Sequence, residues 1–348
     1  MEFEHIKEQI IHLKSEVEKE QVAAFLAKQN LSFDQDIEYT IALLDGKTVV
    51  GTGSFAGRIL KCIAVDSEYK GRGLSNRIVS HLVGEQYRRG NTHLFLYTKP
   101  ENSMLFAELG FYSISEVPSK AVLMENRREG IQNYLKEIAR CKKEGEVISA
   151  IVGNYNPFTL GHQHLIEYAA ARSDQLNVFV VWEDRSYFPS ETRYRLVKES
   201  VGHLSNVTVH KGKDYIISAA TFPSYFIKEY QEVVQTHATL DLKVFAEHIA
   251  PALGINRRFI GEEPYCPVTR TYNRVMRQVL PKSDVEVVEV PRLSVGHQIV
   301  SASKVRELIR KGEFSKIQAL VPRTTYEFLL SEDAQSIIRK IRSGDERH

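Results

Sequence analysis

The hydrophobic positions of the first half of the chain predict a helix followed by short strands. Within residues 6–29, apolar side chains recur at three- and four-residue steps: Ile6, Ile10, Leu13 and Val17. This spacing is typical of an amphipathic helix. The apolar segments IALL and TVVGTG come next, separated by Asp45-Gly46, a pair that favours a tight hairpin turn. The pattern therefore predicts an α+β unit at this end of the chain.

From residue 146 onward, wholly apolar segments alternate with helical ones. VISAIV (147–152) and NVFVVW (177–182) flank a segment predicted to be helical from about Gln163 to Ala171. Strands that are apolar throughout and separated by a helix are typical of parallel βαβ units. Such sheets bind ligands beyond the carboxyl ends of their strands. The second half is therefore predicted to be a Rossmann-like parallel-sheet domain, which places the chain in the α/β class.

A charged stretch separates the two patterns. Residues 126–145, NRREGIQNYLKEIARCKKEG, predict a connecting helix with a solvated face. The chain has 348 residues, which is long for a single hydrophobic core. We therefore expect an α+β domain over residues 1–125, a connecting helix over 126–145 and a parallel-sheet domain over 146–348.

Composition narrows the class of protein. Apolar residues make up 43% and charged residues 26%, and 46 Lys plus Arg against 44 Asp plus Glu leave a net charge of +2. So even a balance argues against nucleic acid or an anionic membrane as the main partner. The three cysteines are far apart, which indicates neither a disulfide framework nor a zinc site. With no hydrophobic signal core or membrane-length apolar run, we expect a cytoplasmic protein.

The segment KGRGLS, residues 70–75, is a candidate phosphate-binding loop. It lies between a predicted strand that ends at Val65 and a predicted helix. The small side chains of Gly71, Gly73 and Ser75 let backbone N–H groups approach a phosphate, and the helix start adds partial positive charge. An ordinary turn between a strand and a helix is the alternative interpretation.

This order of elements resembles the GNAT acetyltransferases, whose Gln/Arg-x-x-Gly-x-Gly/Ala loop holds the pyrophosphate of coenzyme A. Here Lys70 replaces the usual Arg or Gln, and Ser75 replaces the usual Gly or Ala. Asn102 precedes a Leu-Gly-Phe segment that is similar to a later motif of that family. The resemblance covers roughly residues 1–125 and implies binding of a CoA-like group more strongly than acetyl transfer. The residues that it implies are Val65, Lys70, Gly71, Arg72, Gly73, Ser75 and Asn102.

The segment NPFTLGH, residues 156–162, follows the predicted strand VISAIV. Gly161 allows close backbone approach, and His162 stands at the start of a helix, where N–H groups and the dipole favour an anion. His162 and His164 are two residues apart and would face different sides of a helix, so no shared metal ion is predicted. An ordinary helix start is the alternative, and it is favoured for His164.

Thr159-Leu160-Gly161-His162 resembles the (His/Thr)-x-Gly-His signature of the nucleotidyltransferase superfamily, which binds the phosphates of a nucleoside triphosphate. Thr159 replaces the more usual first histidine, so only one imidazole would face the phosphates. The resemblance implies that Asn156, Phe158 and Gly161 also line the nucleotide site.

A second helix start carries the same signal. VSASKVR, residues 300–306, has Ser301 or Ser303 as a candidate N-cap, and Arg306 in or next to the first turn. A cation there is unfavourable beside the helix dipole unless an anion is bound. The stretch resembles the superfamily's second signature, Ile-Ser-Ser-Thr-x-x-Arg, whose hydroxyls and arginine hold the β- and γ-phosphates. An ordinary capped surface helix is the alternative.

Two further positions are candidates for the nucleotide site. Arg193 falls where this superfamily often has an arginine at the start of its second helix, although a solvated helix residue is the alternative. Gly261 follows the predicted strand RRFI and should lie at the same edge of the sheet. His237 and His248 are interpreted as structural.

A GNAT-like half joined to a nucleotidyltransferase-like half resembles the citrate lyase ligase family. NPFTLGH, ATFPSYFIK, RRFIGEEPYCPVTRTYNRVM and VSASKVR support this resemblance. It implies ATP-dependent acetylation of the thiol of a CoA-derived prosthetic group on the acyl-carrier subunit of citrate lyase. Acetate would be activated as acetyl-adenylate, with His162, Thr159 and Arg306 as catalytic residues and Mg²⁺ bridging phosphate oxygens.

Two other functions stay open from the sequence. One is an adenylyltransferase that acts on a phosphorylated cofactor precursor. The other is a GNAT N-acetyltransferase in which the second domain only senses nucleotide.

Overall fold

The computed structural model describes residues 5–217, 222, 225–227, 229–263, 266–295 and 298–344. The chain divides into two compact units. One comprises Met1–Asn133 with Pro223–Thr236, and the other comprises Tyr134–Phe222 with His237–His348. The division falls inside two helices, Gly130–Ala139 and Tyr230–Val244. In the part of the chain that is described, no helix combines the length and apolarity needed to cross a bilayer.

The first unit is built on a mixed sheet. Its strands follow the order β1-β2-β3-β4-β5-β7-β6, and β4 and β5 are parallel to each other while the other neighbours are antiparallel. The elements are β1 (Ile6–Ile10), α1 (Glu16–Lys28), β2 (Tyr39–Asp45), β3 (Thr48–Ala56), β4 (Ile59–Val65), α2 (Leu74–Arg88), β5 (Phe95–Thr98), α3 (Ser103–Glu108), β6 (Tyr112–Val117) and β7 (Ala121–Glu125). The predicted hairpin at Asp45-Gly46 is confirmed as the β2–β3 turn, with Gly46 at φ 61°.

The helix predicted over residues 6–29 is wrong for its first part. Residues 6–10 form an edge strand that pairs with β2 from Ile6 opposite Asp45 to Ile10 opposite Ile41. The helix begins only at Glu16, because the Ser15 side chain caps it by accepting a hydrogen bond from the Glu18 N–H. The four-residue step from Ile6 to Ile10 was therefore misleading, since only Ile6 is buried and Ile10 is exposed.

Strands β4 and β5 pair at one end only. Ile59 lies opposite Phe95 and Leu60 opposite Leu96, and beyond these pairs the two strands are no longer in register contact. The backbone carbonyl of Tyr97, just past the last pair, accepts a hydrogen bond of 2.9 Å from the Tyr225 hydroxyl. The free end of β4 leads directly into the loop at residues 66–73.

The second unit is built on a parallel sheet in the order β10-β9-β8-β11-β12. Its sheet elements and intervening helices are β8 (Ile148–Gly153), α5 (Leu160–Ala170), β9 (Gln175–Val180), α6 (Ser190–Ser200), β10 (Val207–Lys211), α7 (Tyr230–Val244), α8 (Ala250–Leu253), β11 (Arg257–Gly261), α9 (Pro267–Val279) and β12 (Glu286–Val290). A π-helical turn, Phe245–Ile249, joins α7 to α8. The remaining elements are β13 (Ser294–Val295), β14 (Gln298–Ile299), α10 (Ala302–Lys311), α11 (Phe314–Ile317), α12 (Arg323–Leu330) and α13 (Gln335–Arg342).

This strand order confirms the predicted α/β class with a Rossmann-like parallel sheet. The chain begins at the central strand β8, moves outward to β9 and β10, and then crosses to β11 and β12 on the other side. The reversal between β8 and β11 is the topological switch point, where open α/β sheets form a crevice. These two strands pair only at Ser149 with Arg257 and at Ala150 with Arg258, so they separate early.

The connecting segment over 126–145 contains a helix of ten residues, α4 (Gly130–Ala139). One of its faces is buried through Ile131, Tyr134 and Ile138, while its exposed positions are polar or charged: Gln132, Asn133, Lys136 and Glu137. A solvated face is therefore present, but the helix is shorter than the charged stretch.

Candidate functional site

A cavity of about 700 Å³ lies at the carboxyl ends of β8 and β11. Its walls come from the β8–α5 loop, the ends of the two strands, one side of α9 and the start of α10. Among the predicted residues, those on the wall are Asn156, Thr159, Gly161, His162, Gly261, Ser301, Ser303 and Arg306. The switch point therefore brings together residues that are up to 150 positions apart in the chain.

The start of α5 is held by a reciprocal cap between Thr159 and His162. The Thr159 hydroxyl accepts a hydrogen bond of 3.4 Å from the His162 N–H, and the Thr159 N–H donates one of 3.1 Å to His162 Nδ1. A backbone amide can only donate, so Nδ1 carries no proton and the neutral ring holds its proton on Nε2. His162 is therefore oriented as a hydrogen-bond donor from Nε2.

Burial keeps the His162 ring neutral. Withdrawal from water, with a smaller contribution from the positive charge of Arg292, lowers the pKa of His162 to about 4. The ring stacks on Phe158, with centroids 5.7 Å apart, and the edge of the Tyr155 ring packs at 5.1 Å. Aromatic packing thus fixes the imidazole plane at the wall of the cavity.

Gly161 allows the two candidate anion-binding helix starts to lie side by side. A Cβ atom at this position would stand 3.1 Å from the Val300 carbonyl oxygen and 3.6 Å from the Val300 Cβ. Val300 directly precedes Ser301, the N-cap of α10. A larger residue at position 161 would therefore push the start of α10 away from the start of α5.

The N-cap of α10 is Ser301, one of the two predicted candidates. The Ser301 hydroxyl accepts a hydrogen bond of 3.2 Å from the Lys304 N–H, and Gly312 ends the helix at φ 74°. Arg306 reaches back to the first loop, where it donates to the Asn156 carbonyl and, at 3.3 Å, to the Ser303 hydroxyl. Burial lowers the pKa of Arg306, as expected for a cation removed from water.

Two predicted nucleotide ligands do not face the cavity. Phe158 is fully buried behind His162. Arg193 is also fully buried, and its guanidinium donates to the backbone carbonyls of Phe188, Asn154, Val181 and Glu183. In this structure Arg193 therefore holds the β8–α5 loop and the segment after β9 together, and its N–H groups are already used.

The residues on the cavity wall that sequence reasoning missed include Tyr155, Arg258 and Arg292. Tyr155 adopts φ 54°, in the left-handed region that is unusual for a large side chain, and its ring folds back against Gly153. Arg292 forms an ion pair with Glu263 and donates to the Glu262 carbonyl. Only Arg258 had a sequence signal, since it is the second of two adjacent arginines that begin a strand with no other charged residue.

In the first unit, the backbone of the KGRGLS loop is open to the approach of an anion. Gly71 and Gly73 adopt φ 76° and 75°, and a Cβ at either position would meet nothing within 4 Å. Gly73 is the N-cap of α2, and among the described residues no side chain caps this 15-residue helix. Lys70 and Arg72 are exposed, and Arg72 also packs over the Tyr69 ring at 4.8 Å.

The other residues predicted for this loop site precede or follow the loop in the chain. Val65 ends β4, and Ser75 is in the first turn of α2. Asn102 is exposed at the N-cap position of α3, without a side-chain cap bond. Within the supporting stretches, Pro264, Tyr265 and most of ATFPSYFIK lie outside the described residues.

The C-terminal part of the chain matches a family model. "Citrate lyase ligase C-terminal domain" matches residues 126–329. That match covers more than half of the chain.

Full-length relatives match as well. The chain is 43% identical over 322 residues to a [Citrate [pro-3S]-lyase] ligase of Klebsiella pneumoniae, covering 91% of this chain and 94% of that protein. It is 40% identical over 314 residues to the enzyme of that name from Escherichia coli (strain K12), with 89% of each chain covered. A Haemophilus influenzae protein of the same name is 40% identical, covering 88% of this chain and 94% of that one. At this identity and coverage, the chain belongs to the citrate lyase ligase family.

Proposed function

We propose that this protein activates citrate lyase by ATP-dependent acetylation of the thiol of a CoA-derived prosthetic group on its acyl-carrier subunit. It is an acid–thiol ligase that forms AMP and pyrophosphate. The observation that carries the site assignment is the adjacency of two helix starts, α5 and α10, at one cavity on the switch point. Both present N–H groups and donor side chains to the same space, as the binding of a polyphosphate requires.

In the first step, a carboxylate oxygen of acetate attacks the α-phosphorus of ATP. The new bond joins acetate to the adenylyl group, the bond between the α-phosphorus and the bridging oxygen breaks, and pyrophosphate leaves. No protein nucleophile and no proton transfer is required. Catalysis therefore rests on positioning and on stabilisation of the charge that moves onto the phosphate oxygens.

His162 would act as a neutral donor to these oxygens. Its Nδ1 accepts from the Thr159 N–H, so its proton is on Nε2. A preoriented donor does not have to reorganise during the reaction, and it gains strength as negative charge develops. Thr159 acts by fixing that tautomer and the start of α5.

Arg306, Ser301 and Ser303 would hold the departing pyrophosphate. Arg306 already spans from α10 to the Asn156 carbonyl, so it is placed between the two helix starts. The hydroxyl oxygens of Ser301 and Ser303 are hard oxygen ligands of the type that Mg²⁺ prefers. This ion binds mainly through substrate phosphates and water. When bound, Mg²⁺ neutralises part of the phosphate charge.

In the second step, the carrier thiolate attacks the acetyl carbonyl carbon. The thioester bond forms, the bond between the carbonyl carbon and the AMP oxygen breaks, and AMP leaves. The KGRGLS loop of the first unit would bind the pyrophosphate of the CoA-like arm. Its two left-handed glycines and the uncapped start of α2 support this role, since backbone N–H groups there are open to an anion.

The test is isotope exchange between labelled pyrophosphate and ATP, measured with purified protein in the presence and absence of acetate. Exchange that depends on acetate, stops with excess EDTA and returns with Mg²⁺ is expected, because the first step is reversible. The assay is repeated with deacetylated citrate lyase present. Absence of exchange under both conditions would contradict acetyl-adenylate formation.

A substrate control separates this function from adenylyl transfer to a phosphorylated cofactor precursor. Exchange that ignores acetate but requires a phosphate ester such as phosphopantetheine would favour the adenylyltransferase. Consumption of acetyl-CoA without ATP would instead favour an N-acetyltransferase.

A further inference from the structure

One wall of the cavity contains a buried arginine that has few hydrogen-bond partners among the described residues. Arg258 is 2% exposed and lies on β11, in the cavity wall. Among the described residues, its Nε and Nη1 atoms have no hydrogen-bond partner, and only Nη2 donates, at 3.2 Å, to the Tyr272 hydroxyl. Burying a cation without partners is costly, so an arrangement of this kind is typical of a residue that binds an anion.

The surroundings hold this guanidinium in place. Its Cζ lies 4.5 Å from the Phe245 ring centroid, a cation–π contact, and Phe245 is the first residue of the π-helical turn. The Tyr272 hydroxyl, which accepts from Arg258, itself donates to the Asp241 carboxylate. That carboxylate is fixed in turn by the Ile217 N–H at 2.7 Å. The network fixes one nitrogen, while the other two nitrogens have no acceptor in the part of the chain that is described.

Arg258 also lies at the switch point of the sheet, where open α/β sheets bind ligands. It pairs with Ala150, the last residue of β8 that is in register with β11, so it lies where the two strands separate. Tyr155, on the same cavity wall, has a buried hydroxyl without a partner among the described residues, as has the side-chain nitrogen of Asn156. Three of the five residues with such orphan atoms thus border one cavity.

We propose that Arg258 binds the carboxylate of the acyl substrate, a small monocarboxylate such as acetate, in a subsite at the β8–β11 separation. This assignment rests on the proposed function. A planar guanidinium matches a carboxylate in shape and hydrogen bonding, and it does not lose its charge when buried. Met276, on the same cavity wall, supplies apolar surface, which suits a methyl group.

A phosphate of the nucleotide is the other anion that this arginine could take. The phosphates already have an independent set of donors at the starts of α5 and α10, which are on the α5 side of the cavity. Arg258 instead contacts α9 and the π-helical turn. Two separate anion sites are what a reaction between a carboxylate and a triphosphate needs.

The experiment compares Arg258→Met with the wild type in acetate-dependent pyrophosphate–ATP exchange and in equilibrium binding of a non-hydrolysable ATP analogue. The KM for acetate should rise ~30-fold or more, as on removal of one partner from a buried charge pair. The Kd of the analogue should change less than about threefold. Equal acetate KM values overturn the subsite, and a parallel loss of analogue binding assigns Arg258 to the nucleotide.

Two further variants control for structure. Arg257→Met alters the preceding residue, whose guanidinium forms a 2.7 Å ion pair with Glu286 away from the cavity, and it should leave both constants unchanged. Arg258→Lys keeps the charge in case the methionine variant does not fold. One ammonium cannot replace the planar fork, so its acetate KM should still rise about tenfold. An unchanged acetate KM in folded Arg258→Lys also overturns the proposal.

Direct binding separates this subsite from the proposed function. ¹³C-labelled acetate is titrated with each protein in the presence of the ATP analogue and followed by NMR line broadening. Arg258-dependent acetate binding without any exchange would keep the subsite and reject the reaction. Acetate-dependent exchange with Arg258-independent acetate binding would keep the reaction and reject the subsite.

Discussion

At the scale of single residues, the tautomer and the charge of His162 determine what this side chain can do in the proposed reaction. The Thr159 N–H fixes its tautomer, and burial fixes its charge. His162→Ala should lower acetate-dependent exchange about 100-fold or more, because a donor to the developing phosphate charge is lost. The Kd of an ATP analogue should change only a few-fold. If exchange stays within a few-fold of wild type, His162 has no such role.

The same residue predicts a pH dependence of stability. The His162 pKa of about 4 lies below the ordinary histidine value of 6.5, so between these values the unfolded chain binds a proton that the folded chain does not. Stability therefore falls as pH decreases from 6.5 toward 4, and this contribution is constant above 6.5. We therefore expect the free energy of unfolding, measured by denaturant titration, to fall less between pH 6.5 and pH 4 in His162→Gln than in wild type.

His203 provides the control for this measurement. It is exposed beside Glu167 in the same unit, at 3.5 Å. His203→Gln should not reduce the acid dependence. Equal acid sensitivity of wild type and His162→Gln would contradict the assignment of a neutral, partly buried imidazole.

At the scale of elements, the contact between the starts of α5 and α10 should be sensitive to one methyl group. Gly161→Ala places a Cβ 3.1 Å from the Val300 carbonyl oxygen, so the two helix starts must move apart by a few tenths of an ångström. We expect the KM for ATP to rise about tenfold. The gain in helix propensity from alanine opposes any large loss of stability.

Gly84→Ala in α2 is the matched glycine replacement. Its added methyl would meet only the far end of Arg88, at 3.9 Å, so stability should rise by ~0.4–1 kcal/mol with no change in the KM for ATP. An unchanged KM in Gly161→Ala would mean that the spacing of the two helix starts does not determine nucleotide binding.

At the scale of the whole molecule, the two units should contribute separable steps. Gly73→Asp puts a negative charge at the start of α2 and should raise the KM for the acyl-carrier subunit ~10-fold or more. Acetate-dependent exchange, which we propose to take place in the second unit, should be unchanged. Gly73→Asn is the control, since asparagine has the same shape and also tolerates φ 75° but carries no charge. A loss of both steps in Gly73→Asp would indicate damage to folding instead.

Local signals were sufficient for elements whose ends depend on near neighbours. Ser301, one of the two predicted candidates, caps α10, and Asp45-Gly46 forms the β2–β3 turn. These features depend on hydrogen bonds and backbone angles within a few residues, so spacing alone predicts them. The strand β1 was missed because a five-residue edge strand is stabilised by its partner β2, about 35 residues away.

By itself, the sequence determined the two kinds of domain, the two loops that resemble phosphate-binding motifs and the resemblance to one family. Each of these features depends on short segments of the chain. Only the tertiary structure decided which side chains face the site. Arg193 in α6 and Arg258 in β11 are both buried arginines, and the sequence around each does not show whether its guanidinium has acceptors. The fold surrounds Arg193 with carbonyl oxygens, whereas two nitrogens of Arg258, at the cavity wall, have no acceptor among the residues that the structure describes. This difference arises from contacts between distant segments, which the crossing from β10 to β11 creates.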